Sequence, residues 1–356
     1  MGSSIDLDDL RIPSPERLII DLLRKVKVEA TTILATSKGR GQLAVALSAK
    51  YPEAKISLSF MDLYAAEETR EYMESEGAAV EVLCDPDFPE GPFDLAAIPL
   101  SRGGESELAR EQLQEAFDRL RMGGLLLTGV DNRKDTWLHH ELEKFGKGIT
   151  RLPNRYGVVY RLKKEQPLKR RRDLTCEFAF RDGEHLVYAS SRPGVFSHRK
   201  LDLGARALIE AMVVTQGMRV LDIGCGAGAV GLAAAMRAEG VTVHGVDSHA
   251  RAVASILVGA ARNGVANRVT AELHANGGVE TPGSFDLAVG NPPYYSHYKI
   301  AEIFLQSAKR GLKPGGKVLM VTKQSEWFEA RMGQLFEQID TTEQRGYRVV
   351  CGVQPG

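Results

Sequence analysis

The sequence predicts an α/β chain of two tandem Rossmann-like domains, and three observations carry that prediction. Short β-branched or apolar runs alternate with helical patterns through most of the chain, which is the signature of parallel sheets. At 356 residues the chain exceeds the usual size of a single core. The alternation also repeats itself. Ile33-Leu34-Ala35-Thr36-Ser37-Lys38-Gly39-Arg40-Gly41 lines up with Val220-Leu221-Asp222-Ile223-Gly224-Cys225-Gly226-Ala227-Gly228. Likewise Phe93-Asp94-Leu95-Ala96-Ala97 matches Phe285-Asp286-Leu287-Ala288-Val289, and Met122-Gly123-Gly124 matches Pro314-Gly315-Gly316. An internal repeat of this length indicates a duplicated domain.

In chain order, Ser14-Pro15-Glu16-Arg17 opens an amphipathic helix through Ile19, Ile20, Leu22, Leu23 and Val26, with Pro15 in the tolerated first turn. Residues 32–36 read as a strand, 42–50 as a helix, 55–61 as a strand and 65–76 as a helix. Then follow a strand at 93–99, a helix at 105–120 with Leu108, Leu113, Phe117 and Leu120 inward, a Gly-Gly turn into a strand at 125–127, and a closing strand at 156–162. The first domain is therefore placed at 1–162. Residues 163–173 crowd Lys163, Lys164, Lys169, Arg170, Arg171 and Arg172 around Pro167 and read as a basic linker, either a solvated run or a contact for an RNA backbone. The second domain, 174–356, opens with a hairpin turning at Asp182-Gly183. After Arg192-Pro193-Gly194-Val195-Phe196-Ser197 comes a helix at 202–214. Strands follow near 219–223, 241–246, 269–273, 286–289, 317–321 and 347–352.

Composition narrows the partners. Lys plus Arg equals Asp plus Glu at 46 each, so any nucleic-acid footprint is local. Four scattered cysteines fit neither a zinc site nor a disulfide framework, and His198, His244, His249, His274 and His297 have no ligand spacing. No metal is expected. No apolar run is long enough to span a bilayer, so the reading is a cytoplasmic protein without membrane contact.

The chemistry concentrates in the second copy. Gly224-x-Gly226-x-Gly228 joins a strand to an Ala-rich helix, where glycine permits a tight turn and close approach of a ligand. Gly226-x-Gly228-x-x-Gly231 also satisfies the dinucleotide fingerprint. Asp222 in the approach strand and the tetrad Asn291-Pro292-Pro293-Tyr294 three strands later separate the two, since hydride transfer asks for neither. Asp247 ends the second strand, where a carboxylate accepts ribose hydroxyls or caps the following helix. Asn276 follows the third strand, where a polar side chain meets an adenine. The tetrad suits an amino or amide nitrogen whose lone pair is delocalised. Oxygens of Asn291 and Pro292 accept its N–H groups, turning the lone pair toward an electrophile, and Tyr294 supplies a stacking face. In the first copy Ala35 replaces Asp222, Ser37 replaces Gly224 and Pro99-Leu100 replace Asn291-Pro292, so that copy reads as a degenerate scaffold. Cys225 has no accompanying base and reads as structural.

Together these residues resemble the class I S-adenosylmethionine-dependent methyltransferases, in particular the "methyltransferase small" type found in bacterial ribosomal RNA guanine-N2 methyltransferases. The resemblance spans nearly the whole chain. It includes Pro193-Gly194-Val195-Phe196-Ser197, Leu201-Asp202-Leu203-Gly204, the 222–228 loop, the tetrad and Gly346-Tyr347-Arg348-Val349. It implies S-adenosyl-L-methionine as cofactor, bordered by Phe196 and Ser197, and a target nitrogen held by Asn291, Pro292, Pro293 and Tyr294. The substrate it implies is ribosomal RNA or a ribosomal subunit, methylated at guanine N2 by a monomeric enzyme. Tyr294 stands where the family usually has Phe and is also typical of adenine-N6 and protein-glutamine methyltransferases, which stay open as targets. Asn276 stands where an Asp is usual. From another class, a non-catalytic RNA-binding assembly factor is the rival reading; the intact Asp222, Gly224, Gly226, Gly228, Asp247 and Asn291 argue against it.

Overall fold

A computed structural model describes residues 11–279, 281–293 and 298–356. The chain divides into two compact units, Met1–Leu174 and Thr175–Gly356. The first unit runs α1 (Ser14–Leu23), β1 (Thr32–Ala35), α2 (Gln42–Lys50), β2 (Lys55–Phe60), α3 (Leu63–Ser75), β3 (Glu81–Cys84), β4 (Phe93–Leu100) and α4 (Ser106–Arg119). It closes with β5 (Leu120–Val130), α5 (Trp137–Glu143), β6 (Thr150–Pro153) and β7 (Val158–Lys163). The second begins with the hairpin β8 (Cys176–Asp182) and β9 (His185–Ser191). It continues through α6 (Leu203–Ala211), β10 (Arg219–Ile223), α7 (Ala229–Arg237), β11 (Thr242–Asp247), α8 (Ala250–Arg262), β12 (Val269–Leu273), β13 (Phe285–Gly290), α9 (Lys299–Gly311), β14 (Leu312–Thr322), α10 (Glu326–Met332), β15 (Glu337–Gln344) and β16 (Tyr347–Val353).

Among the described residues each unit holds a seven-stranded mixed sheet, ordered β3-β2-β1-β4-β5-β7-β6 in the first and β12-β11-β10-β13-β14-β16-β15 in the second. The orders are the same when strands are matched in sequence, which is the structural counterpart of the repeat. Five strands are parallel in each, and the last two pair antiparallel. Alternation along the central strands feeds two cores. In the second unit Val220, Leu287, Val289, Leu319 and Val321 face α6, α7 and α8, and Leu221, Ile223, Ala288, Val318 and Met320 face α9 and α10. The first unit repeats the arrangement with Ile33, Leu95 and Leu127 on the α1 side and Leu34, Ala96 and Leu126 on the α4 side.

The repeated Phe-Asp-Leu-Ala segments are explained by the fold. Asp94 accepts from the Thr31 and Thr32 amides at 2.7 and 3.0 Å and from the Arg121 guanidinium. Asp286 accepts from the Arg219 amide at 2.8 Å and pairs with the Lys313 ammonium. Each aspartate thus pins the entry of the central strand to the turn before the next one. Burial opposes ionisation of both, but these donors hold both carboxyls below the usual carboxylate range.

Some boundaries differ from the sequence reading. The helix expected over 202–214 stops at Ala211, and β3, α5, β6 and β15 lie in stretches without a clear pattern. The basic segment is not uniformly a linker. Lys163 closes β7, Lys164 is buried, and its ammonium donates to the carbonyls of Asp118 and Leu120 at 2.6 and 2.7 Å. Its backbone exchanges hydrogen bonds with Gly123 and Gly124, so the sheet of the first unit continues through both lysines.

Candidate active site

In open α/β sheets a crevice forms beyond the carboxyl ends of the strands where chain order reverses. In the second unit that point is β10, flanked by β11 and β13. An open pocket lies there, about 500 Å³ when the solvent-filled space at its mouth is included. Phe196, Ser197, Asp202, Asp222, Gly224, Gly226 and Asn291 are among the residues lining it. Residues far apart in the chain are joined by topology alone: β10 delivers Asp222 and the glycine loop, and β13, its parallel neighbour, delivers Asn291 at its end.

The loop is held by its own backbone. The Gly224 and Cys225 amides donate to the Val246 carbonyl at 2.7 and 3.2 Å, and Gly228 caps α7 in the left-handed conformation with φ +79°. Asp222 is 3% exposed and accepts from the Gly231 amide at 2.9 Å, one of the donors left over in the first turn of α7. Burial pushes its carboxyl up to about 7; the Gly231 N–H opposes the rise and the nearby Asp247 charge adds to it. Burial likewise raises the Cys225 thiol, helped by Asp247 and Asp222, which keeps it protonated and unsuited to attack.

Asp247 takes a different role from helix capping. Its Oδ2 accepts from the Gly226 amide at 2.8 Å and its Oδ1 from the His249 amide at 2.9 Å, whereas the cap position of α8 is His249 itself. It therefore fixes the middle of the glycine loop from the neighbouring strand. The three glycines also divide. An added Cβ would lie 2.3 Å from the Phe304 ring at Gly224 and 2.5 Å from Ile256 at Gly228, but would meet nothing within 4 Å at Gly226. Of the three, only Gly226 has open space where a side chain would stand.

Asn291 donates from Nδ2 to Asp202 Oδ2 at 2.9 Å, and the same oxygen accepts from the Ala205 amide at 3.0 Å. Pro292 is buried behind it and Pro293 is partly exposed. Phe196 stands out at 66% exposure at the pocket edge, and Ser197 beside it has φ +57°. Asn276 is exposed and lies outside the pocket lining; its backbone N–H donates to His274 Nδ1 at 3.1 Å. Tyr294 lies outside the described residues. Asp202 escaped the sequence reading as a site residue because a cap aspartate looks purely structural. The clue was Leu201-Asp202-Leu203-Gly204, a helix start that carries glycine inside the first turn. Among the described residues no group of His, Cys, Asp or Glu is placed to hold a metal, and no helix is long and apolar enough to cross a membrane.

The first unit treats the corresponding loop differently. Glu16 of α1 is fully buried. Its Oε1 accepts from Ser37 Oγ, the Lys38 amide and the Gly39 amide at 2.7, 2.7 and 3.1 Å, and its Oε2 accepts from the Leu43 amide at 2.8 Å. Gly41 caps α2 with φ +92°, as Gly228 caps α7, but a Cβ at Gly39 would lie 2.5 Å from Gln42 Oε1 and 2.9 Å from Pro13. The loop geometry persists and its space is filled. β4 also runs on through Pro99 and Leu100, the positions that match Asn291 and Pro292.

Comparison with known proteins places this geometry. The family model for the methyltransferase small domain matches residues 187–351. The ribosomal RNA small subunit methyltransferase C of Ectopseudomonas mendocina is 31% identical over 244 residues, covering 67% of this chain and 72% of that protein. The protein of the same name from Acinetobacter baumannii is 25% identical, with 74% and 80% covered; against that from Hahella chejuensis, 31% identical, the chain spans about half the relative's length, 48%. Among solved structures, the T. thermophilus 16S rRNA N2 G1207 methyltransferase (RsmC), in complex with AdoMet and guanosine, superposes with a TM-score of 0.76 at 24% identity. The match covers 94% of this chain and 91% of that one and bears on the fold.

Proposed function

The chain belongs to the ribosomal RNA small subunit methyltransferase C family, and from that premise we propose that it transfers a methyl group from S-adenosylmethionine to the exocyclic N2 of a guanine in ribosomal RNA. The observation that carries the reading is the pocket that joins Asp222 and Gly226 to Asn291. The residues present fit the cofactor: open space at Gly226, two carboxylates bearing on the loop, and an exposed aromatic ring at the rim. We assign Phe196, Ser197, Asp222, Gly224, Gly226, Gly228 and Asp247 to cofactor binding; Gly224, Gly228 and Asp247 act partly by shaping the loop. Asn276 stays assigned to the adenine, although it lies outside the lining of the pocket. S-adenosylmethionine supplies a methyl group on a sulfonium, a leaving group that needs no activation by the protein. What the protein must do is orient a weak nucleophile. Asn291 Oδ1 and the Pro292 carbonyl accept the two N–H bonds of the amino group, stabilising positive charge as it grows on nitrogen. Pro293 stiffens the turn, Tyr294 is assigned the stacking face, and the proton is lost to water after transfer. Nucleoside mass spectrometry of ribosomal RNA from a deletion strain tests the reading. Loss of one N2-methylguanosine, restored by the purified protein, is expected; an unchanged N2-methylguanosine content, or a missing N6-methyladenosine instead, would overturn it.

The first unit we read as a degenerate scaffold, supported by the Glu16 carboxylate that occupies its loop and by the continuous β4. The basic segment we assign to the RNA backbone. Lys169, Arg170, Arg171 and Arg172 are all exposed, but Arg171 also approaches buried Glu115 at 4.0 Å. Charge reversal at Lys169, Arg170 and Arg172 is therefore the cleaner test. It should weaken RNA binding and flatten its salt dependence by about one unit of slope for each phosphate no longer neutralised, as read by filter binding across a salt series.

The neutral-range carboxyl of Asp222 gives a pH dependence with a definite sign. A raised pKa means that this group is protonated below about 7 unless a positive charge comes to face it. The cofactor carries an ammonium, a sulfonium and a carboxylate, and its net positive charge favours the ionised form, so binding releases a proton and affinity falls as pH drops. Between about pH 8 and about pH 6 affinity should fall about tenfold. Asp222→Asn, which can still accept from Gly231, should flatten the profile. Calorimetric titration of the full chain measures this, and the same titration should count one cofactor per chain.

A further inference from the structure

Leu201-Asp202-Leu203-Gly204 has no role in the mechanism above, yet it touches the tetrad directly. A terminal amide has one acceptor oxygen and one donor nitrogen, and by itself it is free to rotate between two nearly isosteric orientations. Only one of them presents oxygen to an amino substrate. Asp202 resolves the choice, because an ionised carboxylate only accepts. Its Oδ2 lies 2.9 Å from Asn291 Nδ2, which commits the nitrogen and leaves Oδ1 as the acceptor.

Two further features make this contact a built one. The same Oδ2 accepts from the Ala205 amide at 3.0 Å, so the start of α6 fixes the carboxylate itself. Gly204 supplies the room. A Cβ there would lie 2.9 Å from Asp202 Oδ2, 3.1 Å from Asn291 Oδ1 and 3.3 Å from Asn291 Nδ2. Gly204 does not have a left-handed backbone, so glycine is not required by conformation, and in a helix it is less favourable than alanine. Its use at this position is explained by the two side chains it lets meet.

We propose that Asp202 is a positioning residue for the methyl transfer: anchored by the N-terminus of α6 and given space by Gly204, it locks the Asn291 amide with its oxygen toward the target nitrogen. The inference rests on the role given to Asn291 above. Its consequence is that the start of α6 belongs to the catalytic apparatus as the support of Asn291.

The test separates capping from positioning. Serine caps helices as aspartate does but is too short to reach Asn291, so Asp202→Ser should keep thermal stability while kcat at saturating RNA and cofactor falls about 10- to 100-fold, within the range of one misdirected transition-state contact. Asp202→Asn can still accept through Oδ1 and should recover most of that activity. Gly204→Ala should lower kcat, because the new methyl displaces Asp202 from Asn291, while the gain in helix propensity offsets the weakened cap and holds the melting temperature near that of the wild type. In the Asn291→Ala background, Asp202→Ser should have no further effect, since nothing is left to position. Wild-type kcat in Asp202→Ser beside an impaired Asn291→Ala would overturn the inference and leave the role of Asn291 standing. So would reductions that multiply in the double variant. Undiminished turnover in Asn291→Ala would remove that role and the inference with it.

Discussion

Replacing Asn291 with alanine is expected to lower kcat by roughly two to three orders of magnitude, about 2.7–4 kcal/mol, the scale of removing one oxyanion-type donor or acceptor. The reasoning starts from the nucleophile. An exocyclic amino group has its lone pair drawn into the ring, so the ground state offers little to an electrophile, and charge appears on nitrogen only as the methyl transfers. An acceptor fixed before that moment stabilises the transition state more than the ground state. The side chain is held by Asp202 at 2.9 Å and sits at the end of β13, so little reorganisation accompanies the reaction. Cofactor affinity should change far less than kcat, because the glycine loop and Asp222 belong to β10 and α7. Single-turnover kinetics together with cofactor titration make the comparison. An alanine variant that loses cofactor binding but keeps its turnover at saturation would contradict the assignment.

How much of this was legible before folding depended on whether a feature is local. The glycine loop and the tetrad are contiguous, and each has a pattern that chemistry rather than packing demands. The repeat was legible because Phe93-Asp94 and Phe285-Asp286 keep a structural duty in both copies. What could not be read was long-range. Glu16 looks like an ordinary first-turn acid of an amphipathic helix, yet its carboxylate is the ligand of the 37–43 loop. Lys164 sits in a run that reads as solvated, but its ammonium satisfies the carbonyls at the end of α4 and the start of β5. Asp202 meets Asn291 across 89 positions. β15, Glu-Gln-Ile-Asp-Thr-Thr-Glu-Gln, is polar nearly throughout and is a strand because β16 pairs with it, so tertiary context overrides propensity there.

The glycine loop yields the second large effect, and it divides residues that the sequence presents as equivalent. Gly228→Ala should be strongly destabilising. Its φ of +79° costs an L side chain about 1 kcal/mol, and the added methyl falls 2.5 and 2.7 Å from Ile256 Cγ1 and Cβ and 3.0 Å from its Cα. Because Ile256 is fully buried on α8, that clash is relieved only by moving a packed helix, a further ~1–3 kcal/mol. Gly226→Ala shares the left-handed penalty, with φ +53°, but has nothing within 4 Å of the new methyl. It should fold with a modest decrease in stability and instead weaken cofactor binding, since the methyl enters the pocket. Denaturant unfolding of the full chain, with the transition of the second unit identified by its shift on adding S-adenosylhomocysteine, would place the two variants. Gly228→Ala should move that midpoint several times further than Gly226→Ala, and Gly226→Ala should show the larger decrease of ligand-induced shift relative to its own stability. Equal effects in both measurements would mean that the open space beside Gly226 is not where the cofactor approaches the backbone, and the assignment of the loop would have to move toward Gly224.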